Sequence, residues 1–174
     1  KQITLPYTTG GYEVMKSLSM DTIGPFAEDD KGYKYILVIV CQFSRFVELF
    51  PLKSTSAEEA IACLMEHMGR YGAPEMIQTD KGSQFVNKLQ EAVCNICGIK
   101  RLVTQGYDKQ KQGIVERANG EVLRHLASLV FDLRDAKHWS RYLPLVQRTH
   151  NSMEKKKLGC SPAELVFGAA VDLD

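Results

Sequence analysis

Long apolar runs are missing from this chain. None approaches the ~20 residues that a membrane-spanning helix requires, and the opening stretch KQITLPYTTGGYE has no continuous apolar segment of the kind a secretory signal carries. A surplus of charge is missing too: 22 basic residues stand against 21 acidic ones, for a net charge of +1. Composition therefore gives no argument for nucleic-acid binding, and any such contact has to come from local arrangement. Cysteine pairing is also scant. Cys41, Cys63, Cys94, Cys97 and Cys160 are odd in number and scattered, which suits free thiols in a reducing compartment. Cys94 and Cys97 form a CxxC, but within a helical pattern and without a second pair. His67, His125, His138 and His150 show no finger-like spacing to them. The ligand set is incomplete for zinc, and core packing is the expected role. Internal repeats and low-complexity linkers are absent.

What remains is enough for one domain. The chain has 174 residues, 44% hydrophobic and 25% charged, which can build a sizeable core. Its polar opening is expected to be the cut edge of a longer protein. EVMKSLSMDTI (13–23) alternates, with Val14, Leu18 and Met20 on one face and Ser17, Ser19 and Asp21 on the other. This predicts a half-buried strand whose polar face carries Asp21. GPFAEDDKG then reads as a turn. YILVIV (35–40) is continuously apolar and β-branched, as in a central strand covered on both faces. SRFVELF reads as a third strand, so the first three form a meander. STSAEEAIACLMEHMGRYG has a Ser/Thr start, early glutamates and a glycine stop, the pattern of a capped amphipathic helix. EMIQT is a strand, SQFVNKLQEAVCNICG a helix ending at Gly98, and IKRLVT a further strand.

QGYDKQKQG, bracketed by Gly106 and Gly113, is expected to be a mobile loop. IVERANGEVLRHLASLVFDLR resumes helical periodicity and places Glu116 in its first turn. Gly120 inside it costs roughly 1 kcal/mol against alanine, so close packing or a ligand is expected there. HWSRYLPLVQRTHNSM is another helix, with Pro144 a kink or break. EKKK (154–157) is expected to be an exposed turn or at best a weak nuclear signal. In SPAELVFG, Pro162 follows Ser161 as a helix start. The order fits one α/β domain with a mixed sheet covered by helices.

Three carboxylates stand out. Asp21 is near the end of the first strand, Asp80 follows the fourth, and 35 residues separate Asp80 from Glu116. A lone Asp after a strand is ordinarily a turn residue, and a lone Glu early in a helix serves the dipole. Crowded together, the three repel and gain the fold nothing, so loss of Asp21 is expected to leave the apo fold intact. Such a cluster suits hard cations. Mg²⁺ prefers oxygen ligands and keeps several waters, and two ions ~3.5–4 Å apart can clamp both oxygens of an in-line displacement at phosphorus.

SMDTIGPF, QTDKGSQF and GIVERANGEV resemble the three catalytic blocks of retroviral and retrotransposon integrases, with the D,D-35-E gap of that family. GYKYILVIVCQFSRFVELFPL, YGAPEMIQTDKGSQF and CSPAELVFG resemble in particular the Ty3/gypsy type. The resemblance runs over residues 14–168, with 1–13 as an extension from an upstream domain and 169–174 as a tail. It implies an RNase H-like fold, a five-stranded mixed sheet with helices on both faces. It implies a polynucleotidyl transferase that processes the 3′ ends of retroelement DNA and transfers them to target DNA. Asp21, Asp80 and Glu116 would be the catalytic and metal-binding residues, with two Mg²⁺ or Mn²⁺ ions per site. Gln112 and Asn119 match positions that meet donor DNA, and Lys109, Lys111, Arg117 and Arg124 are candidates for phosphate contact.

The implied partners are double-stranded DNA and further copies of the chain, as a homodimer or higher oligomer, with no membrane. The implied compartment is the nucleus after a cytoplasmic stage. Trp139, Tyr142 and Leu143 are expected to pack in the core or a subunit interface. Two departures from the family pattern stand out. Cys41 replaces an aspartate that is not a metal ligand, and Asp108 and Lys109 replace a histidine and a proline in the loop. The competing reading is a catalytically silent, domesticated integrase that binds DNA or supports assembly. A third is a general RNase H-like nuclease.

Overall fold

The computed structural model describes residues 13–79, 87–88, 91–92, 103–105 and 109–168, with backbone alone over 103–105 and 109–112. Five strands form one sheet: β1 (Ser17–Ile23), β2 (Tyr35–Cys41), β3 (Val47–Leu52), β4 (Met76–Thr79) and β5 (Val103–Gln105). Their order across the sheet is β3-β2-β1-β4-β5. The first three form the expected antiparallel meander, with Asp21 opposite Val38 and Val38 opposite Leu49. β1 then pairs parallel with β4, from Ser17 opposite Met76 to Met20 opposite Thr79, and β4 pairs parallel with β5.

Parity along the strands divides the core in two. Leu18, Met20, Leu37 and Ile39 point to one side, where Ala60, Leu64 and Met68 of α1 (Ala57–Tyr71) cover them. Ile36, Val38, Val40, Val47 and Leu49 point to the other. There they meet Val115, Ala118, Val122 and Leu126 of α2 (Lys109–Leu133), together with Trp139, Leu143 and Val146. Residues 36–40 thus carry apolar side chains on both faces because helices lie on both.

Local chemistry sets the helix ends. Ser56 caps α1 by accepting the Glu59 N–H, and Gly72 stops it at a φ of 84°. A 3₁₀ segment (Ala136–Tyr142) runs into α3 (Leu143–Ser152), with Pro144 in the first turn of α3. There its missing N–H breaks no helical bond, so it starts this helix rather than kinking it. Trp139 is buried, and its indole N–H donates to the Ala27 carbonyl at 2.9 Å. α4 (Pro162–Phe167) carries a full capping box between Ser161 and Glu164.

Two expectations change here. β1 is shorter than 13–23, since 14–16 form a turn, and its serine face is buried. Ser17 and Ser19 bond the side chain of Gln42 at 2.9 and 3.0 Å, and Gln42 also donates to Gln78 at 3.1 Å. The alternation marked a polar ladder under a helix, and the hydrogen bonds make its burial tolerable. The second change is α2, which begins at Lys109. Residues 109–113 are helical where a loop was expected. Lysine and glutamine propagate a helix well enough to carry it through Gly113. Cys94, Cys97 and Gly98 lie outside the described residues.

Candidate active site

Asp21 is the third-last residue of β1, on the face that α2 covers. It is half-buried, and both of its oxygens are engaged. Oδ1 accepts the Thr22 N–H at 2.7 Å, and Oδ2 accepts from the Asn119 amide at 2.6 Å. Asn119 is 8% exposed, and its other amide atom, Oδ1, is buried without a hydrogen-bond partner among the described residues.

The helix that supplies Asn119 is held by its apolar stripe. With Val115, Ala118 and Val122 on the sheet, Asn119 falls at the edge of the contact, while Glu116 and Arg117 stand exposed. Glu116 precedes Asn119 by three positions and so shares its side of the helix. It makes no hydrogen bond or ion pair among the described residues. A side chain bound to Asp21 and an exposed carboxylate thus sit one turn apart.

The helix begins seven residues before Glu116, so this residue stands two turns in, not in the first turn as the periodicity suggested. Its carboxylate is beyond the reach of the helix's amino-terminal dipole. Gly120 is exposed, and a Cβ there meets nothing within 4 Å. The close approach expected at that glycine is not found among the described residues.

Asp80 and the side chains of Lys109, Lys111 and Gln112 lie outside the described residues. The described β1–β4 ladder runs parallel up to Met20 opposite Thr79. Arg117 and Arg124 are exposed on α2, and Arg124 Nε donates to the Gly120 carbonyl at 3.3 Å. EKKK is only partly the exposed turn expected. Lys155 pairs with Glu121 of α2 at 2.6 Å and is largely covered. Among the described residues no group of three His, Cys, Asp or Glu side chains can hold a metal, Asp80 being outside them.

Sequence reasoning missed a buried charge cluster. Glu48 of β3 is 2% exposed, and its carboxylate lies 2.5 Å from His67 Nδ1 and 2.6 Å from Arg70 Nη1, both on α1. Burial pushes the Glu48 carboxyl up, but these two partners outweigh it and hold it below the usual carboxylate range. The signal was a glutamate inside FVELF, and a histidine on the apolar stripe of α1 between Leu64 and Met68.

The integrase core domain family model matches residues 12–109, more than half of the chain. The chain belongs to that family. It is 33% identical over 140 residues to the Gag-Pol polyprotein of feline leukemia virus, covering 79% of this chain and 8% of the polyprotein. It is 34% identical to the Pol polyprotein of radiation murine leukemia virus (strain Kaplan), covering 79% and 24%. The chain therefore spans a small part of the curated relatives it matches.

Solved structures agree on the integrase core and its RNase H-like fold. The chain superposes on the catalytic core domain of BIV integrase at a TM-score of 0.67 with 25% identity, covering 87% of this chain and 93% of that one. The HTLV-2 integrase catalytic core in complex with magnesium gives 0.68 and 21%, covering 87% and 96%. A chain of the simian T-cell lymphotropic virus intasome with PP2A regulatory subunit B56 gamma gives 0.75 and 20%, covering 93% and 58%.

Proposed function

We propose that this integrase core is a divalent-metal-dependent polynucleotidyl transferase, which trims the 3′ ends of retroelement DNA and joins them to target DNA. The observation that carries the reading is the bond between Asn119 and Asp21, which sets the helix of Glu116 over the end of β1. The donor chemistry fits Mg²⁺ or Mn²⁺. Asp21 and Glu116 offer hard carboxylate oxygens, and Asn119 Oδ1 is a buried oxygen without a partner among the described residues. With Asp80, these residues would hold the cation. When bound, the metal supplies charge neutralisation at the phosphate and activation of the attacking oxygen.

The chain's own contribution is position. Asn119 and the Thr22 N–H fix both oxygens of Asp21, so its lone pairs keep one orientation. Glu116 stands on a helix anchored by its apolar stripe, which limits its travel. Gln112, Lys109, Lys111, Arg117 and Arg124 are the proposed DNA contacts, residues 14–168 the working unit, and the nucleus the site of action. Pairing of two copies brings two DNA ends together.

The test is a Mn²⁺-dependent joining assay on labelled duplexes with wild type, Asp21→Asn and Glu116→Gln. Joined product from wild type and at least a 100-fold loss in both variants is expected. Equal joining by all three proteins sinks the catalytic roles of Asp21 and Glu116, and no joined product from any of them favours a silent DNA-binding module. Cleavage of RNA–DNA hybrids without joining points to a general nuclease.

A further inference from the structure

Among the described residues, β3 forms one edge of the sheet. An edge strand ordinarily presents a row of unpaired backbone N–H and C=O groups, a template on which another chain can add a strand. In β3 the even-numbered residues face β2. The Cys41 N–H donates to the Phe46 carbonyl at 2.9 Å, and Glu48 and Phe50 stand opposite Ile39 and Leu37. The backbone groups of Val47, Leu49 and Pro51 therefore turn outward.

None of these outward positions offers an unpaired N–H. The Val47 N–H donates to Asn151 Oδ1, and its carbonyl accepts from Asn151 Nδ2, both at 2.8 Å. The Leu49 N–H donates to Gln147 Oε1 at 2.9 Å. Pro51 has no N–H to give. At the next odd position, past the strand, the Lys53 N–H donates to Glu59 Oε2 at 2.9 Å.

The spacing of the two amides on α3 fits the strand. Gln147 and Asn151 are four residues apart, on one side of the helix. Four helical residues rise about 6 Å, and two strand residues span about 7 Å. The Asn151 amide carries a donor and an acceptor side by side, as a peptide group does, so it engages Val47 as the backbone of an adjacent strand would. Beside it His150 is buried, and burial pushes its imidazole down to about 4. Gln147, His150 and Asn151 thus bring no charge to the edge near neutral pH. Leu143 and Val146 pack against the sheet and hold the helix in place.

We infer that α3 stands in for a neighbouring strand, its Gln147 and Asn151 closing the β3 edge to strand addition by a second copy of this chain. The sequence FVELF is apolar and rich in strand formers, the kind of segment that pairs with its own copy when uncovered. Copies that pair must therefore use another surface. The inference is independent of the joining activity.

The test combines amide hydrogen exchange with sedimentation velocity over a concentration series. The proteins are wild type, Gln147→Ala, Gln147→Glu and the double variant Gln147→Ala with Asn151→Ala. Val146→Ala is the control, since it loosens α3 against the sheet without removing either edge bond. In Gln147→Ala, the Leu49 amide is expected to exchange roughly tenfold faster relative to that of Phe50, which faces β2. Gln147→Glu keeps an acceptor oxygen and keeps the protection. The double variant is expected to associate beyond wild type and beyond Val146→Ala, with a gain in the intermolecular β band of the infrared spectrum. Leu49 and Phe50 amides that speed up alike, or not at all, in Gln147→Ala overturn the inference. So does a folded double variant that associates no more than Val146→Ala. Should the double variant fail to fold, the exchange ratio in Gln147→Ala decides alone.

Discussion

Asn119 illustrates how a residue's position and its duty can part company. Its spacing from Glu116 along a helix is visible in the sequence, and so is its polar character. Which strand residue lies beneath it depends on how α2 crosses the sheet, and helical periodicity does not record that. The sequence points Asn119 toward DNA; in the fold its amide holds Asp21. Replacing Asn119 with alanine removes a hydrogen bond to a carboxylate, worth roughly 1.5–3 kcal/mol. If that orientation serves the transition state, the joining rate falls about 10- to 100-fold. A single-turnover assay at saturating DNA reads this directly. Asp21→Ala is expected to lower the thermal midpoint, contrary to what repulsion among bare acids suggests. It strips an acceptor from the Thr22 N–H and from a buried amide, at roughly 1–3 kcal/mol for a donor left unsatisfied. Melting in EDTA checks it, and an unchanged midpoint refutes it.

At the level of elements, the caps were readable because they depend on neighbours in sequence. The Ser56 and Ser161 caps, the glycine stop at Gly72 and the meander all follow from short patterns. The Glu48–His67–Arg70 cluster was not, because it joins β3 to α1 through tertiary packing. Its pH behaviour follows from sign. Glu48 has a folded pKa below its ordinary 4.5, so its stabilisation is complete above that value and is lost as pH falls through the folded value. His150 acts in a higher window. Its pKa drops from 6.5 to about 4 on folding, so between those values the unfolded chain binds the proton that the folded chain refuses. Stability therefore declines as pH falls from 6.5 to 4 on account of His150, and steepens below 4.5 on account of Glu48. Denaturant melts of His150→Gln should lose the upper slope alone. Glu48→Ala leaves His67 and Arg70 without their shared partner, at about 3 kcal/mol at pH 7.

Across the whole molecule, the fold class and the covering of both sheet faces were legible because alternation and apolar runs report burial directly. The parallel pairing of β1 with β4 is set by tertiary packing and was not read from the sequence. The start of α2 was not legible: a glycine-bracketed polar stretch has the composition of a loop, and its helicity follows from the longer helix it extends. Two apolar layers pack against the two faces of the sheet. A chelator should therefore abolish joining while leaving the far-ultraviolet circular dichroism spectrum unchanged. A collapse of that spectrum in EDTA would show that the cation is part of the scaffold.

The clamp on Asp21 reaches across 98 positions of the chain. A nascent polypeptide carries its first acid long before it carries the amide that aims it. If the proposed joining chemistry needs Asp21 so aimed, a ribosome-bound fragment that stops short of α2 lacks it. The delay between the acid and its clamp then acts as a safety catch on that chemistry.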